Sequence, residues 1–369
     1  YLADLESMAD RNEQATRLRQ LLDERIALEN TLKREPGALS EAQVREYDAR
    51  YQSLQRRLAS LFRECEGDQQ RVTAMLEMMR ILENRLVYLQ NFIVDPTAES
   101  RLLAQLVTRF IDEAANEKAP VLTTLEALYF RAVAALHAGD LPKAREGFRA
   151  ACASEESDEA NDIKYKSYVI LGHLSHEEAD YAKAKELHDQ SLRYSPNDNV
   201  TAQALALKAL NSYALGDHDD ALHLFGEALR LFDRDKPFFN AYFHRNALLF
   251  CGAIHFDRRD YREAESYYER VAASVDPSSF DYFDALSHLG RICYAEERWD
   301  DAVRSFDRAV ETHRFSENEY VVDTWFWIAR CHLRRDDAAE ACKYLQRIAA
   351  SDVRYDKKPQ AVELLQRIA

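Results

Sequence analysis

Two histidines three residues apart are the first candidates for chemistry in this sequence. His173 and His176 would share one face of a helix, a spacing that can hold a metal ion. No third ligand stands near them in the sequence, and both positions suit solvated side chains better. We therefore predict no metal site and no cofactor.

The six cysteines are too widely spaced for a zinc site or a disulfide framework. They contain no CxxC pair and stand at Cys65, Cys152, Cys251, Cys293, Cys331 and Cys342. Unpaired thiols are easier to keep in a reducing compartment, which favours the cytoplasm. The sequence also lacks the GxGxxG, GxxxxGK[ST], HExxH and GxSxG motifs. These observations predict a protein without enzymatic activity.

The composition favours helices and an acidic surface. The 369 residues include only 9 Gly and 8 Pro, too few turns for an all-β protein. The formal charge is −15, which repels nucleic acid and anionic lipid, so we expect neither as a partner. No apolar run reaches the length of a membrane span, and we expect no membrane insertion. Because the chain begins at Tyr1, we interpret it as a fragment that can lack an anchor or an export signal.

Residues 1–118 predict a series of long helices. A leucine-rich stripe runs to about residue 34, and Pro36-Gly37 ends it. Ser40 and Gln43 resemble a capping box that begins a second helix, a third follows Gly67, and a fourth covers about 98–117. These helices form either a bundle that caps the rest of the chain or a coiled coil that makes the protein oligomeric.

Residues 119–355 repeat a pattern of small and large side chains. Six small residues separated by 40, 37, 43, 38 and 39 positions form the anchor column: Ala144, Ala184, Ala221, Ala264, Ala302 and Ala341. Twelve positions upstream stand six more small residues: Ala132, Gly172, Ala209, Gly252, Gly290 and Ala329. Four positions downstream stand large ones: Phe148, His188, Phe225, Tyr268, Phe306 and Leu345. Small side chains let two helices approach, and stacked hairpins bury the apolar faces that one hairpin cannot.

This pattern resembles the tetratricopeptide repeat (TPR). The best copies are Tyr168-x2-Leu171-Gly172…Tyr181-x2-Ala184 and Leu286-x2-Leu289-Gly290…Trp299-x2-Ala302-x3-Phe306. The resemblance implies an all-α fold, a right-handed TPR-like α-solenoid of about six helix pairs, joined to the N-terminal helices. Residues 356–369 then form a C-terminal capping helix. The period exceeds the 34 residues usual in the family, which implies longer helices or turns.

The resemblance also implies a ligand groove lined by the first helix of each repeat. The second, fifth and ninth positions of the repeats give the candidate binding residues: Lys166, His173, Asn246, Leu249, Asp284, Ser287, Arg291, Asp323, Phe326 and Arg330. Arg291 and Arg330 stand in consecutive repeats and suit a carboxylate, and Phe326 suits an aromatic anchor. Each of these residues taken alone fits an ordinary solvated groove position better.

Two functions fit these features. The first is a scaffold that binds a peptide or partner protein in the TPR groove and self-assembles through its N-terminal helices. The second is a regulatory sensor whose TPR array binds a small molecule or a signalling peptide.

Overall fold

Stacked helical hairpins make up this protein in the computed structural model. The structure describes residues 2–32, 41–65, 125–155, 158–235, 241–312 and 318–368, together with 70, 73–74, 77–81 and 105. Within these residues all regular secondary structure is helical, so the all-α prediction is confirmed. In the same residues no helix has the length and apolarity that crossing a bilayer requires.

Two long helices begin the chain, as the leucine pattern predicts. Helix α1 spans Leu2–Leu32 and α2 spans Glu41–Glu64. The predicted stripe of α2 is buried from Tyr47 to Cys65, whereas Ile26 of α1 is 45% exposed. Both helices share one apolar core with Phe130 and Phe148 of the first repeat, a packing that fits a capping bundle. Apart from residue 105, the predicted fourth helix lies outside the described residues.

Among the residues that the structure describes, six helix pairs follow, and one further helix comes after them. The pairs are α3 (Leu125–His137) and α4 (Leu141–Cys152), α5 (Asp158–Glu177) and α6 (Tyr181–Leu192), α7 (Asp198–Ala214) and α8 (His218–Asp235), α9 (Ala241–Asp257) and α10 (Tyr261–Ser274), α11 (Phe280–Ala295) and α12 (Trp299–Thr312), α13 (Glu319–Arg334) and α14 (Ala338–Ala350). The last helix is α15 (Lys358–Ile368). The predicted solenoid of helix pairs is therefore confirmed.

The chain divides into two compact units, Tyr1–His244 and Arg245–Ala369. In the first unit, each helix from α3 to α8 packs on the next in the chain. In the second unit, the same holds from α10 to α15. In each unit two first helices also touch directly, α3 with α5 and α11 with α13.

The small-residue columns lie inside each hairpin, as predicted. All six anchor alanines have no exposed surface, and the upstream alanines are 0–2% exposed. The upstream glycines face the large residue four positions after the anchor. A Cβ added to Gly290 would stand 2.6 Å from Cε1 of Phe306, closer than side chains tolerate. Close helix approach is therefore the reason for these glycines.

One backbone conformation recurs in the turn of every hairpin. The residue five before each anchor has a positive φ of 58–80°, at Gly139, Ala179, Gly216, Arg259, Glu297 and Asp336. The next residue donates its N–H to a carbonyl of the first helix at 2.8–2.9 Å, which closes the helix end. In four repeats that residue is also an aspartate whose carboxylate accepts an N–H of the second helix. The turn thus ends one helix and begins the next.

Candidate functional site

Two of the predicted binding residues lie on α5, in the first unit. The Lys166 amine is 3.1 Å from the carboxylate of Asp162 and 5.9 Å from the centre of the Tyr129 ring. The His173 ring is 59% exposed and stands 3.3 Å from a carboxylate oxygen of Glu177. Their binding role stays a prediction.

His176, the other half of the histidine pair, has protein partners. Its Nδ1 is 2.8 Å from the side-chain oxygen of Asn211, and its ring packs edge-on against Tyr181 at 5.1 Å. Across the part of the chain that the structure describes, no group of three His, Cys, Asp or Glu side chains is placed to hold a metal ion.

The other eight predicted residues lie on α9, α11 and α13 of the second unit. Ion pairs join these first helices side by side. Arg245 of α9 pairs with Asp281 of α11 at 3.0 Å, and Arg291 of α11 pairs with Asp323 of α13 at 2.6 Å. We call the side of these helices that carries Asn246, Asp284, Ser287, Arg291, Asp323 and Arg330 the first-helix surface.

Asp323 is the most heavily bonded residue of this surface. Besides Arg291, it accepts hydrogen bonds from the Tyr355 hydroxyl at 2.7 Å, Lys357 at 2.6 Å and the Trp327 indole N–H at 3.0 Å. Burial raises its pKa, but the bonds from Lys357 and Tyr355 and the charge of Arg291 outweigh this and hold the pKa below its ordinary value. Its carboxylate therefore links α11 and α13 to the segment before α15.

Two predicted residues are covered by neighbouring side chains, and a third is partly buried. Phe326 is 4% exposed and packs beside Tyr355, with ring centres 6.3 Å apart. Ser287 is 8% exposed, and Leu249 packs on the core formed by Tyr268 and Ile292. In this conformation Phe326 has almost no surface with which to anchor a ligand.

Three buried polar atoms without a protein partner lie on α11. Ser287 Oγ, His288 Nδ1 and Arg291 Nε are buried and make no hydrogen bond to the residues that the structure describes. The His288 ring stacks on Tyr268 at 4.6 Å. Burial, helped by the charge of Arg291, lowers the pKa of His288 to about 4, so the ring is neutral. Burial raises the pKa of Asp284 to about 6 against the opposing effect of Arg291.

Arg330 lies against two aromatic rings that also contact each other. Its guanidinium carbon is 4.8 Å from the centre of Tyr294 on α11 and 4.6 Å from that of Trp327 on its own helix. Arg291 also stands over Trp327, at 5.5 Å. Sequence reasoning missed both aromatic residues because it considered only the second, fifth and ninth positions of each repeat. Their signal was available, since Trp327 precedes Arg330 by one helical turn.

Four of the cysteines are not activated nucleophiles. Burial raises the thiol pKa of Cys152, Cys251 and Cys331 to about 12 and that of Cys293 to about 11. Reactive thiolates need the opposite shift. The arrangement on α9, α11 and α13 suits binding through charge, stacking and hydrogen bonds.

Two solved structures of low sequence identity have a similar fold. One is the apo form of the quorum sensor NprR from B. thuringiensis, with a TM-score of 0.53, 16% identity and 81% of each chain covered. The other is a Signal Transduction ATPase with Numerous Domains protein with a tetratricopeptide repeat sensor from Pyrococcus horikoshii. Its TM-score is 0.58 at 14% identity, over 86% of this chain and 49% of that one. No curated protein matches the sequence.

A family model described as tetratricopeptide repeat matches more than half of the chain. The matched residues are 104–160, 206–279, 252–319 and 289–359. Repeats of this family typically form interaction surfaces rather than catalytic ones, which supports a general role in binding proteins. The chain belongs to the tetratricopeptide repeat family.

Proposed function

We propose that this protein is an interaction scaffold that binds an extended peptide segment of a partner along the first-helix surface of the second unit. The observation that carries the proposal is the row of unpartnered polar atoms on α11, namely Ser287 Oγ, His288 Nδ1 and Arg291 Nε. All three stand within about one helical turn of each other.

Unpartnered buried polar atoms reduce the stability of a fold. Each one costs about 1–3 kcal/mol relative to a bonded one, so a native protein keeps few without a reason. An extended peptide backbone offers both N–H donors and carbonyl acceptors along its length. It can therefore satisfy the hydroxyl, imidazole and guanidinium atoms in one bound pose, once the side chains that cover these atoms in the unbound conformation move aside.

The rest of the surface supports the same ligand. Asn246 on α9 and Asp284 on α11 are half-buried polar side chains of the same first-helix surface. Leu249 packs on the apolar core beneath α9 and α11 and supplies apolar contact area. The proposed binding residues of the second unit are therefore Asn246, Leu249, Asp284, Ser287, Arg291 and Arg330, with Asp323 holding the helices in register.

Selection of binding peptides tests this function. A library of random twelve-residue peptides is selected on the full chain, and the affinity of the enriched peptides is measured by titration calorimetry. We expect the double variant Asp284→Ala/Ser287→Ala to weaken binding at least tenfold while its melting temperature is unchanged or higher. The hydroxyl is unpartnered, and the nearest partner of the Asp284 carboxyl is the neutral ring of His288 at 3.7 Å, so the two removals cost the fold little.

The matched control is Arg304→Ala on α12, which is the second helix of its repeat and lies outside the first-helix surface. Its side chain is 73% exposed, and its ion pair among the described residues is with Asp301 of its own helix. This variant should bind the peptides like the native chain. Failure to enrich any peptide, or loss of binding in the control rather than in the double variant, would contradict the proposed function.

Self-assembly through the N-terminal helices and a cytoplasmic location also stay proposals. Sedimentation of the full chain over a hundredfold range of concentration tests the first. If the chain sediments as a monomer at every concentration, the proposal of self-assembly is wrong.

A further inference from the structure

A groove runs along α15 at the end of the second unit. Its volume is about 690 Å³, which is comparable with sites that hold a whole small ligand. One wall is a stripe on one face of α15, about 12 Å long, and the other wall is the segment 353–355 that precedes this helix. The lining includes Val353, Arg354, Tyr355, Lys358, Pro359 and Val362.

The two sides of α15 meet different surroundings. Ala361 is fully buried, and Leu364, Leu365 and Ile368 pack on the core of the second unit. Val362 is half-buried, lines the groove and is not one of the residues that pack on that core. An apolar side chain that the core does not use is available for contact with a ligand.

Tyr355 connects this groove to the first-helix surface. Its hydroxyl donates to Asp323 of α13 at 2.7 Å, and its ring packs beside Phe326, while the same residue lines the groove. Val362 is the fifth residue of α15, the position that Asp284 holds in α11 and Asp323 holds in α13. The first-helix surface therefore continues onto α15, where an apolar side chain replaces the carboxylates of the earlier helices.

The charges around the groove favour an uncharged occupant. Arg354 and Lys358 bring two positive charges, which repel a lysine or an arginine, whereas Glu363 is paired with Arg367. Lys358 already donates to the carbonyl oxygen of Ser351 at 2.5 Å. An ion pair with these exposed cations would contribute less than burial of an aliphatic side chain against the apolar walls.

We propose that this groove is the subsite for one aliphatic side chain (leucine, isoleucine or valine) of the peptide that lies along the first-helix surface. The inference rests on the proposed function and extends the binding site onto α15. Val353, Pro359 and Val362 supply the apolar walls, and Tyr355 joins the subsite to Asp323. The capping helix thus determines which residue type stands at one end of the bound peptide.

Alanine scanning of a selected twelve-residue peptide tests this subsite. Each Leu, Ile and Val of the peptide is changed to Ala, and the affinities for the native chain and for Val362→Asp are measured by titration calorimetry. We expect one such change to weaken binding to the native chain about ten- to a hundredfold, as expected for the loss of one buried aliphatic side chain. The same change should weaken binding to Val362→Asp less than about threefold, because the aspartate makes the groove polar.

Gln360→Asp is the matched control, because Gln360 is an exposed residue of the same helix that does not line the groove. It should bind every peptide like the native chain. Val362→Thr keeps the shape of the valine and removes one methyl group from the wall, so it should weaken the unchanged peptide about fourfold. Urea unfolding of all three variants separates a change in the groove from a change in the fold.

The outcomes distinguish this inference from the proposed function. If Val362→Asp binds the peptides as tightly as the native chain while Asp284→Ala/Ser287→Ala weakens them, the subsite is wrong and the proposed function stands. If no peptide is enriched, both are wrong. If the native chain sediments as a dimer and Val362→Asp as a monomer, the occupant is a second copy of this chain and the peptide subsite is wrong.

Discussion

Gly172 of α5 lies directly against the imidazole of His188 on α6. A Cβ on Gly172 would stand 2.5 Å from Cε1 of that ring, and Gly290 has the same relationship to Phe306 at 2.6 Å. In each pair the missing side chain lets a ring lie flat against the opposing helix. The repeat therefore depends on these contacts more than on helix propensity.

Gly290→Ala tests this dependence. Alanine gains about 1 kcal/mol of helix propensity, but the contact with Phe306 forces the two helices apart. We expect a net loss of about 1–2 kcal/mol in the free energy of unfolding, measured with urea. Gly226→Ala is the matched control, because no atom lies within 4 Å of its added Cβ, and it should be stabilising. Equal effects at both sites would refute the steric explanation.

The turn conformation gives a second prediction. Ala179 has a φ of 60°, in the left-handed region that favours glycine, whereas the equivalent Gly216 has a φ of 80°. Ala179→Gly should raise the free energy of unfolding by about 0.5–1 kcal/mol, and Gly216→Ala should lower it by a similar amount. Thermal unfolding of the two variants checks the opposite signs. If the free energy of unfolding falls in both variants, contacts other than the backbone conformation determine the turn.

The columns of small and large residues could be predicted from the sequence because they repeat. A contact that recurs six times is easier to recognise than one that occurs once, and the aspartate that precedes five of the six second helices adds an independent signal. The shared turn conformation could not be found in this way, because four of its six positions are not glycine. Backbone geometry, rather than residue type, defines that column.

The candidate site was predictable only in part. The repeat positions identified Arg291, Asp323 and Arg330, but not that Asp323 bonds Arg291, Tyr355 and Lys357 at once. Those bonds join residues 32 to 34 positions apart and depend on side-chain rotamers. Periodicity places a residue on a helix face, but it does not specify which neighbour the side chain contacts.

His188 predicts a dependence of stability on pH. Burial, with the charges of His173 and His176, lowers its pKa to about 3, whereas the unfolded chain takes up a proton near pH 6.5. The unfolded state therefore binds more protons in acid, and stability falls as pH falls below about 6.5. Between pH 7 and 5 this residue should contribute a loss of about 2 kcal/mol.

His188→Phe should remove that contribution. Phenylalanine occupies the same column at Phe148, Phe225 and Phe306, so the hairpin can hold its ring. Urea unfolding at pH 7 and pH 5 should show a loss about 2 kcal/mol smaller in the variant than in the native chain. If both proteins lose the same stability, His188 is protonated in the folded state and the packing argument fails.

Asp323→Asn should destabilise the second unit. It leaves Arg291 and Lys357 without their partly buried carboxylate, and we expect a loss of about 2–3 kcal/mol at pH 7. Because the folded pKa lies below the ordinary value, this stability is present above about pH 4 and is lost as the pH falls further. The difference between native and variant chains in urea should therefore shrink at pH 3. Asp352→Asn, at an exposed position of the same segment, should change little at either pH.

The most direct test of the account is the location of a bound peptide. A selected twelve-residue peptide carrying a photoreactive group is cross-linked to the unmodified full chain, and the adducts are mapped by mass spectrometry. The account predicts adducts on the first helices of the second unit, α9, α11 and α13, with α13 labelled near Arg330. Adducts confined to the second helices α10, α12 and α14 would contradict it.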